Sequence, residues 1–409
     1  MTDEKEQNEI ISDLHIHSRF SRATSKNIDV PNLVKYAKIK GLNLLGTGDF
    51  QHPSWFKELD VLEEKDGLIF YQDFPFLWQS ELSLMYSQGG RGRRIHYVIL
   101  APNKEVVKQI TEFLKTKGRL DYDGRPIFGF SSVVLAEEMQ RISEDIEIIP
   151  AHSWTPWFGI FGSMSGFDSL KEAFQDKRDR IHAIETGMSS SPDMNWRIKE
   201  LNDKSIVSFS DSHSFWPWRI GREATIFLGE LSYKNILKQI RENSFKATIE
   251  TDPAYGKYHY DGHRNCKFSC SPEESKKLGN ICPVCKKALT IGVENRVEKL
   301  ASNPFGFMPK TAKPFYKLLP LQELIALAKA STLASQKTWK VYNSLIEKFG
   351  NELNILLYVE KIDLAKFLTG DELLAQLIID NRIGNLKVKP GYDGEYGIPM
   401  LKEKQERLF

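Results

Sequence analysis

Five short segments of this 409-residue chain end in side chains that bind metal ions. They are DLHIH (residues 13–17), TGDF (47–50), SELS (80–83), AHSW (151–154) and SDSH (210–213), and each follows an apolar, strand-like run. Residues i and i+2 of an extended strand share one face, so His15 with His17, and Asp211 with His213, can each grip one cation. Together with Asp49, Glu81 and His152, and with His96 in the strand-like RRIHYVIL, they predict one polynuclear metal site. Imidazole and carboxylate ligands suit Zn, Mn or Fe, and carboxylates can bridge two ions. A bound ion lowers the pKa of its water from about 15.7 towards about 7 and clamps phosphoryl oxygens. The predicted chemistry is hydrolysis, with Glu81, Asp211 and His213 as the catalytic residues among the ligands.

Other titratable residues divide by context. Asp13 lies on the face of the His pair and is expected to orient His15. Glu185, in AIETG, reads as a support for the ligands, His182 as structural, and His52 as either a ligand or a loop residue. All four cysteines fall within Cys266, Cys270, Cys282 and Cys285, a CxxxC-x11-CxxC pattern. Two close pairs at this spacing predict one structural zinc held by four thiolates, with His259 or His263 as the alternative for one position.

Clustered cysteines argue for metal in a reducing compartment rather than for a secreted disulfide framework. No apolar run approaches the roughly 18 residues of a membrane span, and the polar N-terminus carries no leader pattern. An intracellular chain is therefore expected. A net charge of +2 is too small to announce nucleic acid by itself.

The elements that must position the ligands alternate up to about residue 250. Strand candidates lie at 10–11, 42–45, 69–71, 94–101, 146–149, 181–186 and 206–209, and helical stretches at 31–40, 104–116, 168–179 and 233–242. Such alternation predicts an α/β sheet or barrel with its site at the strand ends. Residues 301–320 hold four prolines and read as a linker. Helical periodicity follows at 321–329, 335–349, 351–367 and 372–381.

Aromatic residues crowd the ligand loops: Trp78, then Trp154, Trp157 and Phe158, then Trp216 and Trp218. Arg22, Arg93 and Arg219 stand among them and could hold phosphates. An enzyme that reads a damaged base must extrude it and stack it on such surfaces.

DLHIHS, Glu81, AHSW and SDSH resemble the polymerase and histidinol phosphatase (PHP) metallo-phosphoesterases over roughly residues 10–250. That resemblance implies a distorted (β/α)7 barrel with two or three divalent ions (Zn, Mn or Mg). The chain departs from it in TGD, where the family has TDH, so that Asp49 replaces a histidine. HSRFSRATSK, GTGDF, AHSWTPWFG, SDSHS and KPGYDG extend the likeness to the endonuclease Q family over nearly the whole chain. The family implies a PHP barrel (1–250), a zinc module (251–300) and a helical DNA-binding region with a tail (301–409). It also implies a cytoplasmic, prokaryotic (archaeal) enzyme, expected to be a monomer. The implied reaction is nicking of DNA 5′ to uracil, hypoxanthine, xanthine and abasic sites, leaving 3′-hydroxyl and 5′-phosphate. A small-molecule phosphomonoesterase is the alternative that needs only the barrel. Finally, Gln405, Leu408 and Phe409 open a sliding-clamp (PCNA) binding pattern, Q-x-x-[apolar], in an otherwise charged tail.

Overall fold

The computed structural model describes residues 8–401. The clamp-like residues Gln405, Leu408 and Phe409 lie outside the described residues. Among the described residues, no helix is long and apolar enough to cross a membrane.

Alternation of strand and helix holds as expected, but the strands do not form one parallel ring. Glu9–Asp13 pairs in parallel with Leu44–Gly46 and antiparallel with Ala224–Leu228 in an eight-stranded sheet. Gln79–Gln88, which carries Glu81, pairs antiparallel with Arg91–Leu100, which carries His96, in a four-stranded sheet. Ala183–Glu185 and Ser205–Val207 form a separate parallel pair. An isolated parallel bridge between Ile16 and Ser212 closes the first ligand strand onto the last. The result is a mixed α/β body whose ligand segments converge at one end.

Local chemistry accounts for the helix ends. Asp29 caps Val30–Lys40 through the Asn32 N–H, and Gly41 ends it at φ 101°. Ser131 and Ser232 cap Ser132–Ile142 and Tyr233–Glu242 in the same way. The first of these helices is absent from the sequence reading. The stretch read as a helix over 351–367 is two helices, Glu352–Leu357 and Lys361–Phe367. The break is held by Arg382, whose guanidinium takes the carbonyls of Ile355, Leu356 and Val359.

The C-terminal helices dock onto this α/β body through a buried ion pair. Lys40 Nζ stands 2.6 Å from Glu352 Oε1 and donates to the Pro217 carbonyl at 2.9 Å. Glu352 also accepts from Leu321 N and from the Tyr342 hydroxyl, so neither charge is stranded. Pro217 follows the last ligand segment, so this docking reaches the edge of the site.

A candidate metal centre in an aromatic cleft

Three residues of the site stand in the left-handed backbone region that non-glycine residues rarely adopt: Asp49 at φ 41°, His152 at φ 31° and Asp211 at φ 49°. Each sits just past a strand end, where the turn swings its side chain inward. Strain of this kind persists only where the surroundings over-determine it, and it gathers at functional sites.

The inward side chains form two adjoining groups that share Glu81. His15, His17, Glu81 and Asp211 bring ligand atoms within 4.8 Å of one another, as do Glu81, His96 and His152. His17 Nε2 lies 3.1 Å from Asp211 Oδ1 and 3.2 Å from Glu81 Oε2. The other oxygen of Glu81 lies 2.8 Å from His96 Nδ1 and 3.2 Å from His152 Nε2. One carboxylate therefore faces both groups, as a bridging ligand would. His15 Nε2 is buried without a hydrogen-bond partner. An orphaned imidazole nitrogen pointing at carboxylates is what a site built for a cation leaves behind.

The electrostatics agree. Burial alone would lower the His15 and His17 imidazoles. Carboxylates outweigh it and raise both well above their ordinary value, Glu185 and Glu81 for His15, and chiefly Asp49 and Asp211 for His17. Burial would likewise raise Glu81 and Asp211, but their neighbours hold both well below the carboxylate range: His96 and Arg125 beside Glu81, His213 and His17 beside Asp211. A buried array of this kind balances its charge with protons or with metal ions.

Several expected ligands stand one step out. Asp49 spends its carboxylate on His17 Nδ1 (3.0 Å), on Ser18 N and hydroxyl, and on the Ser21 hydroxyl. It orients a ligand rather than joining either group. Glu185 does the same for His15, with its oxygens 2.8 and 3.1 Å from Nδ1, and also accepts the His152 N–H at 2.6 Å. Asp13 does not touch the His15 ring. It ties the first strand to the last ligand segment through Ser210 N (2.9 Å) and to Gly221 N (2.8 Å). His213 lies at the rim with Nδ1 on the Asp211 carbonyl at 3.0 Å. His52 stacks on Phe20, and His182 pairs with Glu147.

A cavity of about 520 Å³ opens beside these groups, and Asp211, His96 and His152 form its metal side. Trp157, Phe158, Tyr258 and Tyr396 supply its aromatic walls. Of the expected aromatic set, only Trp157 and Phe158 line it. Trp78 and Trp154 are core residues, fully buried, with their indole N–H groups on Glu64 and Asn195. Trp216 and Trp218 stack on each other at 5.4 Å and pack against Trp339, joining the last ligand loop to the C-terminal helices. The basic residues also redistribute. Arg93 is buried against Phe167, with its guanidinium on the Gly166 carbonyl and Glu172. Arg22 pairs with Asp123, and Arg219 is not among the residues lining the cavity. Arg222, which the sequence places with Arg219 as a phosphate-holding residue, does line the cavity, together with Arg125 and Lys257. The sequence hints at the last two only as DGRP and GKYHY.

The cysteine centre needs one correction. The group that comes together is His263, Cys266, Cys282 and Cys285. His263 Nδ1 stands 3.1 Å from Cys266 Sγ and 3.3 Å from Cys285 Sγ. Cys270, expected as the fourth thiolate, is buried beside Cys282 and Leu289. In the hairpin His263 pairs with Phe268 and Cys270 with Asp261, and the Cys270 thiol is not among the ligand atoms that lie within 4.8 Å of one another. Three thiolates and an imidazole remain a closed, zinc-type set.

Known proteins give these features a context. A family described as the MJ0043 C-terminal domain matches residues 320–385. MJ0043 of Methanocaldococcus jannaschii is 33% identical over 262 residues, 63% of this chain, which spans 32% of that longer protein. YqxK of Bacillus subtilis is 27% identical over 95% of this chain and 98% of its own length. Among solved structures, the lesion-specific endonuclease PfuEndoQ from Pyrococcus furiosus superposes with a TM-score of 0.87 at 30% identity, covering 98% of both chains. An endonuclease Q bound to a 27-mer duplex with an abasic lesion at the active site superposes with the same TM-score and identity, over 97% of this chain and 98% of that one. With 30% identity and one fold shared from end to end, this chain belongs to the endonuclease Q family.

Proposed function

We propose that the chain is a metal-dependent DNA repair endonuclease. It hydrolyses the phosphodiester 5′ to deaminated bases (uracil, hypoxanthine and xanthine) and to abasic sites. The products are a 3′-hydroxyl and a 5′-phosphate. The observation that carries this reading is the opening of an aromatic-walled cavity directly onto the ligand groups, in a chain superposing end to end on lesion-bound endonuclease Q. A cavity of about 520 Å³ accommodates one extruded nucleotide, and Trp157, Phe158, Tyr258 and Tyr396 offer stacking faces.

Two or three divalent ions would be held by His15, His17, Glu81, His96, His152 and Asp211, with His213 at the rim. When bound, they supply a hydroxide at neutral pH and neutralise the phosphate oxygens. Asp49 and Glu185 fix which nitrogens of His17 and His15 face the ions. His263, Cys266, Cys282 and Cys285 would hold a structural zinc. The tail residues Gln405, Leu408 and Phe409 would dock a sliding clamp.

End-labelled duplexes carrying one uracil, hypoxanthine or abasic site, incubated with Mn²⁺, Mg²⁺ or Zn²⁺, test this reading. Nicks 5′ to the lesion with ligatable ends support it. Activity confined to phosphomonoesters overturns it.

A further inference from the structure

The segment Asp123-Gly124-Arg125-Pro126 is held against the ligand strands along its length. Asp123 accepts the N–H groups of Arg22 at 3.2 Å and Arg125 at 3.1 Å. Gly124 donates to the Phe20 carbonyl at 3.0 Å, and its own carbonyl takes the Gln51 amide at 2.5 Å. A side chain at Gly124 would collide with the Asp49 carboxylate and the Ser21 hydroxyl. The backbone thus runs directly over the carboxylate that orients His17. The Pro126 carbonyl accepts from Ser83 N, two residues beyond Glu81. A segment fixed at so many points delivers its one long side chain to a defined place.

That place is the metal cleft. Arg125 NH1 lies 3.0 Å from Glu81 Oε2, the oxygen that faces His17, and Arg125 lines the cavity beside Asp211 and His152. A cation held by His17, Asp211 and Glu81 would compete for the charge that Arg125 now pairs with. The guanidinium carries five N–H donors, a fork suited to phosphate oxygens. Arg222, the other arginine lining the cavity, commits Nε and NH2 to the Ser210 carbonyl.

We propose that Arg125 is a catalytic residue that contacts a non-bridging oxygen of the scissile phosphate. It takes up the charge that grows there as the water oxygen bonds to phosphorus and the P–O3′ bond breaks, one water proton ending on O3′. This rests on the endonuclease reading above.

The test is single-turnover nicking of an abasic duplex at saturating metal by wild type, Arg125→Ala and Arg125→Lys, with bound metal counted in each protein. The expected result for Arg125→Ala is a loss of about 10²–10³-fold in rate, the usual effect of removing one donor to a developing oxyanion. Metal content should match wild type, and added guanidinium should recover part of the rate. Arg125→Lys should fall between the two. A wild-type rate in Arg125→Ala overturns the proposal. So does a loss that follows loss of metal and is not recovered by guanidinium, since Arg125 would then be only the counter-ion of Glu81. A wild-type chain that fails to nick would instead fail the functional reading itself.

Discussion

Glu185 stands with its carboxylate 2.8 Å from Nδ1 of His15, a contact between residues 170 positions apart that leaves Nε2 as the free ligand nitrogen. The same carboxylate takes the backbone N–H of His152, a residue held in the left-handed region. One side chain thus sets the ring of one ligand and the backbone turn of another. Partners of this kind fix the tautomer and raise ligand basicity.

Glu185→Ala should therefore weaken metal binding by about 10–100-fold while leaving the chain folded. Titration against a competing chelator, with circular dichroism as the folding control, measures this. Affinity equal to wild type would show that Glu185 is a passive neighbour.

The cysteine centre makes a prediction that runs against the spacing of its cysteines. Cys270→Ala should keep the structural metal, and His263→Ala should lose or loosen it. Co²⁺ substitution reads this centre alone, because thiolate-to-metal charge-transfer bands cannot arise from the His and carboxylate groups of the barrel. Cys270→Ala should leave those bands unchanged. A weakened thiolate band in Cys270→Ala would restore Cys270 to the ligand set.

A third prediction concerns a carboxylate beneath the site. Glu250 is fully buried, and burial outweighs its hydrogen bonds from Thr248, Thr186 and Ser208, raising it to about 8. The nearby Glu223 is raised as well, by burial and by Glu250. An acid whose folded pKa lies above its unfolded value is neutral in the fold while the unfolded chain has already released its proton. The Glu250 contribution to stability then falls as pH rises from about 4.5 to about 8. Glu250→Gln removes this contribution to the slope. The variant's stability relative to wild type should rise by on the order of 1–4 kcal/mol between pH 5 and pH 8, as read by chemical denaturation at each pH. Parallel stability–pH curves for the two proteins would refute a neutral Glu250.

Strand-end spacing made most of the candidate ligand cluster readable. HxH and DxH put two side chains on one face, and His15, His17 and Asp211 do meet Glu81. Spacing could not assign roles within the set. Asp49 occupies a strand end like the ligands, yet three donors next to His17 claim its oxygens. Trp78 and Trp154 stand near the ligands in sequence, yet both side chains turn into the core. Arg125 was invisible because its position depends on a loop clamped by hydrogen bonds to residues 43 to 104 positions away. The fold class was legible from alternation, whereas the eight- and four-stranded sheets depend on antiparallel pairings such as Glu9–Asp13 with Ala224–Leu228 and Gln79–Gln88 with Arg91–Leu100.

The most direct test of the central claim is nicking of an abasic or uracil-containing duplex by metal-stripped protein before and after Mn²⁺ is restored, with Asp211→Asn in parallel. Stripped protein and Asp211→Asn should both be inactive, and restored wild type should nick 5′ to the lesion while leaving the undamaged duplex intact. Nicking by stripped protein at the restored rate, or equal nicking of undamaged duplex, would contradict a metal-dependent lesion endonuclease centred on His15, His17, Glu81 and Asp211.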